Sequence, residues 1–126
     1  MKNFIINKVM GNITTNKINT SIVVNIKYSK LEKLIKELKI NSDNLSKSKI
    51  KSFEELEKNE YNNNFIHYQD EVNNELMNIR KSISNNTNNM IEYTKSTIKL
   101  KKYIFEIQMI VKNYFEIVRD KCKFYI

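Results

Sequence analysis

This chain contains very few residues that break regular structure, and that shortage limits its possible folds more than any other feature. In 126 residues there is no proline, and the single glycine is Gly11. Helices therefore meet few obligatory stops, and one glycine is too few for a glycine-rich phosphate-binding loop. Two architectures stay open at this point, a small α+β domain and an all-helical protein.

Three residue types dominate the composition, since asparagine, isoleucine and lysine make up 59 of the 126 residues. This bias is typical of an AT-rich genome, so it does not by itself indicate disorder or a function. Hydrophobic residues account for 40% of the chain, which is enough for a folded core and high for a disordered protein. The length predicts one domain with a modest core.

The chain is basic, with a formal net charge of +8. Such a charge indicates an acidic partner, which is nucleic acid, an anionic membrane surface or an acidic protein. The excess lies towards the two ends: residues 1–28 contain lysines and no acids, and residues 92–112 form a second basic stretch, whereas the middle is close to neutral.

Residues that carry enzyme chemistry are scarce, because His67 and Cys122 are the only histidine and cysteine. A zinc site built from these types needs more of both. A Cys–His nucleophile pair is formally possible, but we expect no such site. We expect Cys122 to be a buried apolar residue and His67 to lie at a strand edge or in a loop. The chain is predicted to be no enzyme, with no cofactor, metal or small-molecule substrate.

Membrane-directing segments are not evident in the sequence. No run of 18 apolar residues occurs, so we expect no helix that spans a membrane. The N-terminal residues lack the apolar run of a secretory signal and the arginine- and serine-rich character of an organelle presequence. The lone cysteine suits a reducing compartment.

Period-two alternation at the N-terminal end predicts β-strands. In residues 20–28, Ile22, Val24 and Ile26 fall on one face, and β-branched residues are enriched. A second strand is predicted over Phe4 to Ile13, with residues 15–19 as the tip of a hairpin between them.

The middle of the chain changes to a helical period. A stripe of Leu31, Leu34, Ile35 and Leu38 predicts an amphipathic helix over residues 30–41. The residues after it are polar, and Ser52 followed by Glu55 is typical of a capping box that starts a short helix. Beyond this helix we expect a break at residues 62–64, a strand at 65–68 and a loop at 85–89.

Both periods fit the C-terminal third. Apolar residues alternate from Tyr103 through Phe105 to Val111, as in a strand, whereas Ile107, Ile110 and Tyr114 also fit a helix. A strand to about residue 111 followed by a helix to the terminus satisfies both patterns.

Three blocks of sequence carry a resemblance to a known family. Residues 11–26 (GNITTNKINTSIVVNI), 69–73 (QDEVN) and 91–103 (IEYTKSTIKLKKY) occur in this order. They resemble segments of the small ribosomal subunit protein 17 family in its bacterial and organellar form. The first resembles the family's opening hairpin and the last resembles the end of its barrel. Thr20 replaces a lysine of the family pattern, Gln69 a histidine, and Ser96 a proline.

The resemblance implies a mainly β protein with helical additions. Its expected fold is a five-stranded OB-like barrel over residues 1–112, with a helical insertion at 29–60 between strands 2 and 3 and a C-terminal helical extension at 113–126. Its expected function is that of a structural constituent of the small ribosomal subunit, which binds and stabilises ribosomal RNA beside neighbouring ribosomal proteins. The expected location is the ribosome of a plastid remnant (apicoplast) or mitochondrion, or alternatively the cytoplasm of an AT-rich bacterium.

The two lysine-bearing loops of such a barrel would contact RNA, because lysines neutralise phosphates and hydroxyl and amide groups fix orientation. The candidate RNA-binding residues are Thr15, Asn16, Lys17, Asn19, Lys27, Lys95, Thr97, Lys99, Lys101 and Lys102. Tyr28, Phe65, Tyr103 and Phe105 are expected in the barrel core, with base stacking as the alternative.

A second class of function stays open: a small basic helical interaction protein, such as a viral or phage factor, that binds an acidic protein partner. A third, a helix lying on a membrane surface, has weak support in the last 20 residues alone. Helical content separates the first two classes, since a fraction above about 60% is incompatible with the barrel.

Overall fold

Four helices make up nearly all of the chain that the structure describes. The structure is a computed structural model that describes residues 26–85 and 90–122. The helices are α1 (Ser29–Lys47), α2 (Phe53–Lys58), α3 (Glu60–Asn85) and α4 (Met90–Lys121). They account for 89% of the described residues, which contain no strand. The predicted OB-like barrel is therefore wrong, and with it the classification as mainly β.

The predicted N-terminal hairpin lies almost wholly outside the described residues. This holds for the strand from Phe4 to Ile13, for the tip at residues 15–19 and for most of the strand at 20–28. Residues 26–28 are described and have no regular secondary structure, so the end of the strand predicted at 20–28 is not formed. Tyr28 precedes α1 and is buried.

Helix α1 confirms the predicted amphipathic helix and extends it from residue 41 to Lys47. Leu31 and Leu38 are fully buried, and Leu34 and Ile35 lie beside them on the same face. The buried face continues through Ser42 to Leu45. Spacings of three and four residues keep these side chains on one side of a helix, which is why the period in the sequence identified this element.

Helix α2 begins with the predicted capping box. The Ser52 side chain accepts a hydrogen bond from the Glu55 backbone N–H at 3.1 Å. In return, a Glu55 carboxylate oxygen accepts from the Lys51 backbone N–H at 2.7 Å. Each bond satisfies a backbone donor near the helix N-terminus that has no partner within the helix.

Helix α3 runs through two positions where the sequence predicted a break and a strand. Its start is capped by Asn59, whose side-chain oxygen accepts from the backbone N–H groups of Tyr61 and Asn62 at 2.8 and 3.1 Å. Asparagine is a strong N-cap residue, so this polar run begins a helix instead of ending one. Phe65 is fully buried in the second turn, and the strand predicted at 65–68 is wrong.

Helix α4 corrects the strand predicted up to residue 111. In the segment with the predicted strand, the buried side chains are Tyr103, Ile107 and Ile110, spaced by four and three, whereas Phe105 and Met109 are exposed. The helix continues without a break through residue 112, and the helix predicted towards the C-terminus is its last part. Alternation in this segment reflected one buried and one exposed apolar face of a single helix.

Contacts divide the chain into two compact units. Among the described residues, the larger unit contains Tyr28–Met77 and residues 101–122, and the smaller contains residues 26–27, 78–85 and 90–100. In the larger unit α1, the first part of α3 and the last part of α4 contact one another as a helical bundle. Its fully buried side chains, other than Ser42, are Phe65, Leu31, Leu38, Leu45 and Val72.

The smaller unit contains the end of α3 and the start of α4. Ile79, Ile83 and Leu100 are its buried apolar side chains among the described residues. Thr94 and Thr97 each donate a hydroxyl hydrogen bond to the carbonyl four residues earlier, at 2.7 and 2.8 Å. Such bonds are the usual way in which a hydroxyl inside a helix finds an acceptor.

Candidate interaction surface

Half of the predicted RNA-binding residues lie at the N-terminal end, and four of these are outside the described part of the chain: Thr15, Asn16, Lys17 and Asn19. Lys27 is described, and it is exposed two residues before α1. The predicted hairpin tip with Lys17 is thus among the residues that the structure does not describe.

The other predicted RNA contacts lie on helix α4, not on a loop between strands. Lys95 and Lys99 are exposed in the smaller unit, and Lys101 and Lys102 are exposed in the larger one. Lys95 forms an ion pair with Glu92 at 3.9 Å. Thr97 is partly buried, and its hydroxyl is already bonded to the Tyr93 carbonyl. The structure therefore keeps the lysines accessible but removes the loop that was expected to present them.

Two tyrosines of α4 form polar contacts inside the larger unit that the sequence analysis missed. The Tyr114 hydroxyl donates to the side-chain oxygen of Asn62, and its ring stacks on Phe65 with centroids 3.7 Å apart and planes 4° from parallel. Burial raises the pKa of Tyr114. In the sequence, the seven-residue step from Phe65 to Val72 indicates the side of α3 that contains Phe65.

Tyr103 links α4 to α1. Its hydroxyl donates to a Glu32 carboxylate oxygen at 2.5 Å, and its ring lies against Tyr28 with centroids 5.4 Å apart. Burial, the hydrogen bond to Glu32 and the negative charge of that carboxylate together raise the pKa of Tyr103 to about 12. Of the four aromatic residues expected in a core, Tyr28, Phe65 and Tyr103 are buried, although in a helical bundle, and Phe105 is 65% exposed.

The outer side of α1 carries a basic surface with an apolar residue within it. Lys33, Lys36 and Lys47 are exposed, and Ile40 is 47% exposed. Steps of three, four and seven residues bring these four side chains to one side of the helix. None of the three lysines belongs to an ion pair among the described residues. We call these four residues the α1 face.

The outer side of α4 in the larger unit carries a second exposed surface, of a different character. Phe105 is 65% and Met109 50% exposed. Lys102, Lys112 and Glu116 are exposed around them. We call these five residues the α4 face. Unlike the α1 face, it combines two large apolar side chains with charges of both signs.

A shallow groove runs between α1 and α4, and a second one lies beside it. The first has a volume of about 260 Å³ and its lining includes Ser42, Asp43 and Asn113. The second has a volume of about 330 Å³ and includes Glu32 and Tyr103. Lys39 and Glu106 line both grooves, so the rims carry both signs of charge.

The remaining chemistry-bearing residues do not come together in the part of the chain that the structure describes. Cys122 is buried, as predicted. His67 is exposed in helix α3 beside the Tyr68 ring, so the expected strand edge or loop is wrong. The described residues contain no group of three or more metal-ligating side chains. Nor does any described helix combine the length and apolar character needed to cross a membrane.

Comparisons with protein-family models, with curated proteins and with solved structures find no match to this chain. A function must therefore be inferred from the geometry and charge of the surfaces described above.

Proposed function

We propose that this chain is a helical interaction protein that binds an acidic protein partner through the α1 face. The observation that carries the proposal is the set of three exposed lysines around Ile40 that form no ion pair within the described residues. Protein interfaces typically combine an apolar anchor with a polar rim. The α1 face has this composition on a rigid helix.

Charge and apolar contact have separate roles in this proposal. The lysines, with the overall charge of +8, attract an acidic surface and speed its association. Ile40 adds apolar surface that is buried on binding, and attraction between charges alone does not provide this contribution. The expected partner is therefore an acidic surface that also presents an apolar side chain, such as a helix with glutamates and a leucine stripe.

Ribosomal RNA binding is less well supported, because the resemblance that implied it also implied a barrel. Two of the three resembling blocks, residues 69–73 and 91–103, lie inside helices α3 and α4. The segment that was expected to be the second lysine-bearing loop is helical. RNA binding by Lys95, Lys99, Lys101 and Lys102 stays a prediction, as do the ribosomal partners and the location in an organelle.

The proposal is tested with two synthetic helical peptides, one with glutamates and a leucine stripe and one with the leucines replaced by glutamine. Affinities are measured by fluorescence anisotropy over a salt series, with a single-stranded uridine oligonucleotide as a third probe. We expect the leucine peptide to bind best. Replacing the lysines of the α1 face (Lys33→Gln, Lys36→Gln, Lys47→Gln) should weaken its binding about tenfold, since surface charge pairs contribute a few tenths to 1 kcal/mol each.

A matched control removes the same charge from another exposed region of the chain through Lys49→Gln, Lys51→Gln and Lys58→Gln. This variant should keep most of the affinity. Equal losses in the two triple variants would mean that only net charge matters and would contradict the α1 face. Tighter binding of the oligonucleotide, lost on Lys101→Gln with Lys102→Gln, would favour RNA instead.

A further inference from the structure

The α4 face has a geometry that the proposed function does not use. At about 100° per residue, its five side chains lie within about 80° of one another around the helix axis. The buried side chains Tyr103, Ile107, Ile110 and Tyr114 lie on the opposite side. This part of α4 therefore has apolar side chains on two sides, and one of these sides is buried within the larger unit.

The charges of the α4 face are ordered along the helix. Lys102 lies seven residues before Met109, and Glu116 lies seven residues after it. Both are exposed and neither forms an ion pair among the described residues. Met109 is thus the midpoint of a surface that is positive at one end and negative at the other.

We propose that two copies of this chain associate through their α4 faces, antiparallel, with Met109 at the two-fold axis. A surface with opposite charges at equal distances from its centre is complementary to itself when one copy is reversed. Lys102 of one copy then faces Glu116 of the other, twice. Phe105 of each copy lies near Lys112 of the other, where an ammonium is attracted by the face of an aromatic ring.

A parallel arrangement lacks this complementarity. With the two helices in register, Lys102 would face Lys102, Lys112 would face Lys112, and Glu116 would face Glu116, so that every charged residue of the α4 face would meet its own sign. Like charges across an interface disfavour that pairing. The order of charge along the helix therefore selects both the occupant, a second copy, and its direction.

The contact is small, since it consists of one helical face on each copy. Small interfaces are characteristic of weak association, and the cost of lost translational and rotational freedom must be met from few contacts. The dimer is therefore expected to dissociate on dilution. It uses none of the residues of the α1 face, so loss of peptide binding and loss of dimerisation are separate results.

Charge exchange tests the pairing in the full-length protein. Sedimentation equilibrium should show a monomer–dimer equilibrium, and Lys102→Glu should weaken it about tenfold, because two attractive pairs become repulsive. Glu116→Lys should have the same effect. The double variant restores both pairs with the signs exchanged, and its dimerisation should return close to that of the original chain.

A mixture of the two single variants is a sharper form of the same test. In a homodimer of the Lys102→Glu variant, each introduced carboxylate faces the unchanged Glu116 of the other copy. In a homodimer of the Glu116→Lys variant, each introduced ammonium faces the unchanged Lys102. In a mixed dimer with one copy of each variant, the outcome depends on how many of the two pairs are attractive.

That count follows from the antiparallel geometry. Position 102 of the first variant, a carboxylate, faces position 116 of the second, an ammonium, and Glu116 of the first faces Lys102 of the second. Both pairs in the mixed dimer are therefore attractive, whereas both pairs in each homodimer are repulsive. Native mass spectrometry should show more mixed dimer than either homodimer.

Cysteine cross-linking tests the direction. The chain has one cysteine, the buried Cys122, which gives a low background. Met109→Cys should form a disulfide-linked dimer on mild oxidation. Lys102→Cys should not, since two such residues lie about 21 Å apart along an antiparallel pair at 1.5 Å per residue.

Three results would overturn the proposal. One is a chain that stays monomeric at the highest soluble concentration. Another is a double charge exchange that is no better than the single ones, although circular dichroism shows that all variants are folded. The last is equally fast cross-linking through Lys102→Cys and Met109→Cys, which fits a parallel pair.

Discussion

A polar pair lies within the apolar contact between α3 and α4 in the larger unit. Asn62 is 7% exposed, and its side-chain oxygen accepts a hydrogen bond from Tyr114. A buried amide without such a partner would be destabilising, and the Tyr114 ring also covers Phe65. The bond forms only when Asn62 and Tyr114 lie opposite each other. It therefore favours one alignment of the two helices, as polar residues in helical cores do.

The Tyr103–Glu32 hydrogen bond is coupled to the protonation of the tyrosine. In an unfolded chain the phenol has its ordinary pKa of 10.0, whereas burial and the Glu32 carboxylate raise it to about 12 in the folded protein. The folded state therefore holds this proton more tightly. Its contribution to the free energy of unfolding is complete below pH 10 and is lost as the pH rises towards 12.

We therefore predict that the stability of the chain falls between pH 10 and about 12, and that Tyr103→Phe makes this fall shallower. The measurement is the urea midpoint of unfolding at a series of pH values. Tyr114 keeps part of the slope in the variant, since its pKa is also raised. The control is Tyr68→Phe, which changes a partly buried tyrosine of α3. An identical slope for Tyr103→Phe and the original chain would contradict the prediction.

At the scale of elements, side-chain caps mark where α2 and α3 begin. The asparagines at 62–64 predicted a break, yet Asn59 caps α3 and Asn62 is buried in it. In α4 the alternation of apolar residues looked like a strand. With no proline or glycine between residues 90 and 121, nothing local stops a helix there, and burial of every third or fourth residue stabilises it.

Helix α2 is the element most dependent on its cap, because it has only six residues. We predict that Ser52→Ala lowers the free energy of unfolding by about 1 kcal/mol, the usual cost of losing an N-cap side chain. Ser52→Asp should retain stability, since aspartate also accepts the Glu55 N–H bond. Urea unfolding checks both variants, and hydrogen exchange should locate the change in α2. Equal loss in both variants would contradict a capping role.

At the scale of the whole molecule, the larger unit depends on the leucine stripe of α1. Leu31, Leu38 and Leu45 recur every seven residues and are fully buried. A repeat of seven keeps one line of contact along a helix and is typical of helical bundles. Removal of one of these side chains leaves a cavity that the close-packed interior refills only in part.

We predict that Leu38→Ala lowers the free energy of unfolding by about 2–5 kcal/mol. Ile40→Ala, on the same helix but 47% exposed, should cost within about 0.5 kcal/mol. Urea unfolding followed by far-ultraviolet circular dichroism measures both, and the native signal should be dominated by helix. Similar losses at the two positions would contradict the assignment of the buried face.

Local interactions explain which predictions were successful. The period of Leu31, Leu34 and Leu38 and the capping box of Ser52 and Glu55 act within one or two helical turns, so they are visible in a short stretch of sequence. The buried cysteine was also predicted from its residue type. The barrel, in contrast, rested on a resemblance in three blocks, and two of these blocks are helical in the structure.

Contacts between distant residues account for the rest. No pattern in the sequence pairs Tyr114 with Asn62 or Tyr103 with Glu32, which are separated by 52 and 71 positions. Those contacts select which apolar side of α4 is buried, and hence leave Phe105 and Met109 exposed. The amphipathic period made α1 a helix before any packing was known, but the choice between strand and helix in α4 needed its neighbours, because two periods fit one sequence and only burial distinguishes them.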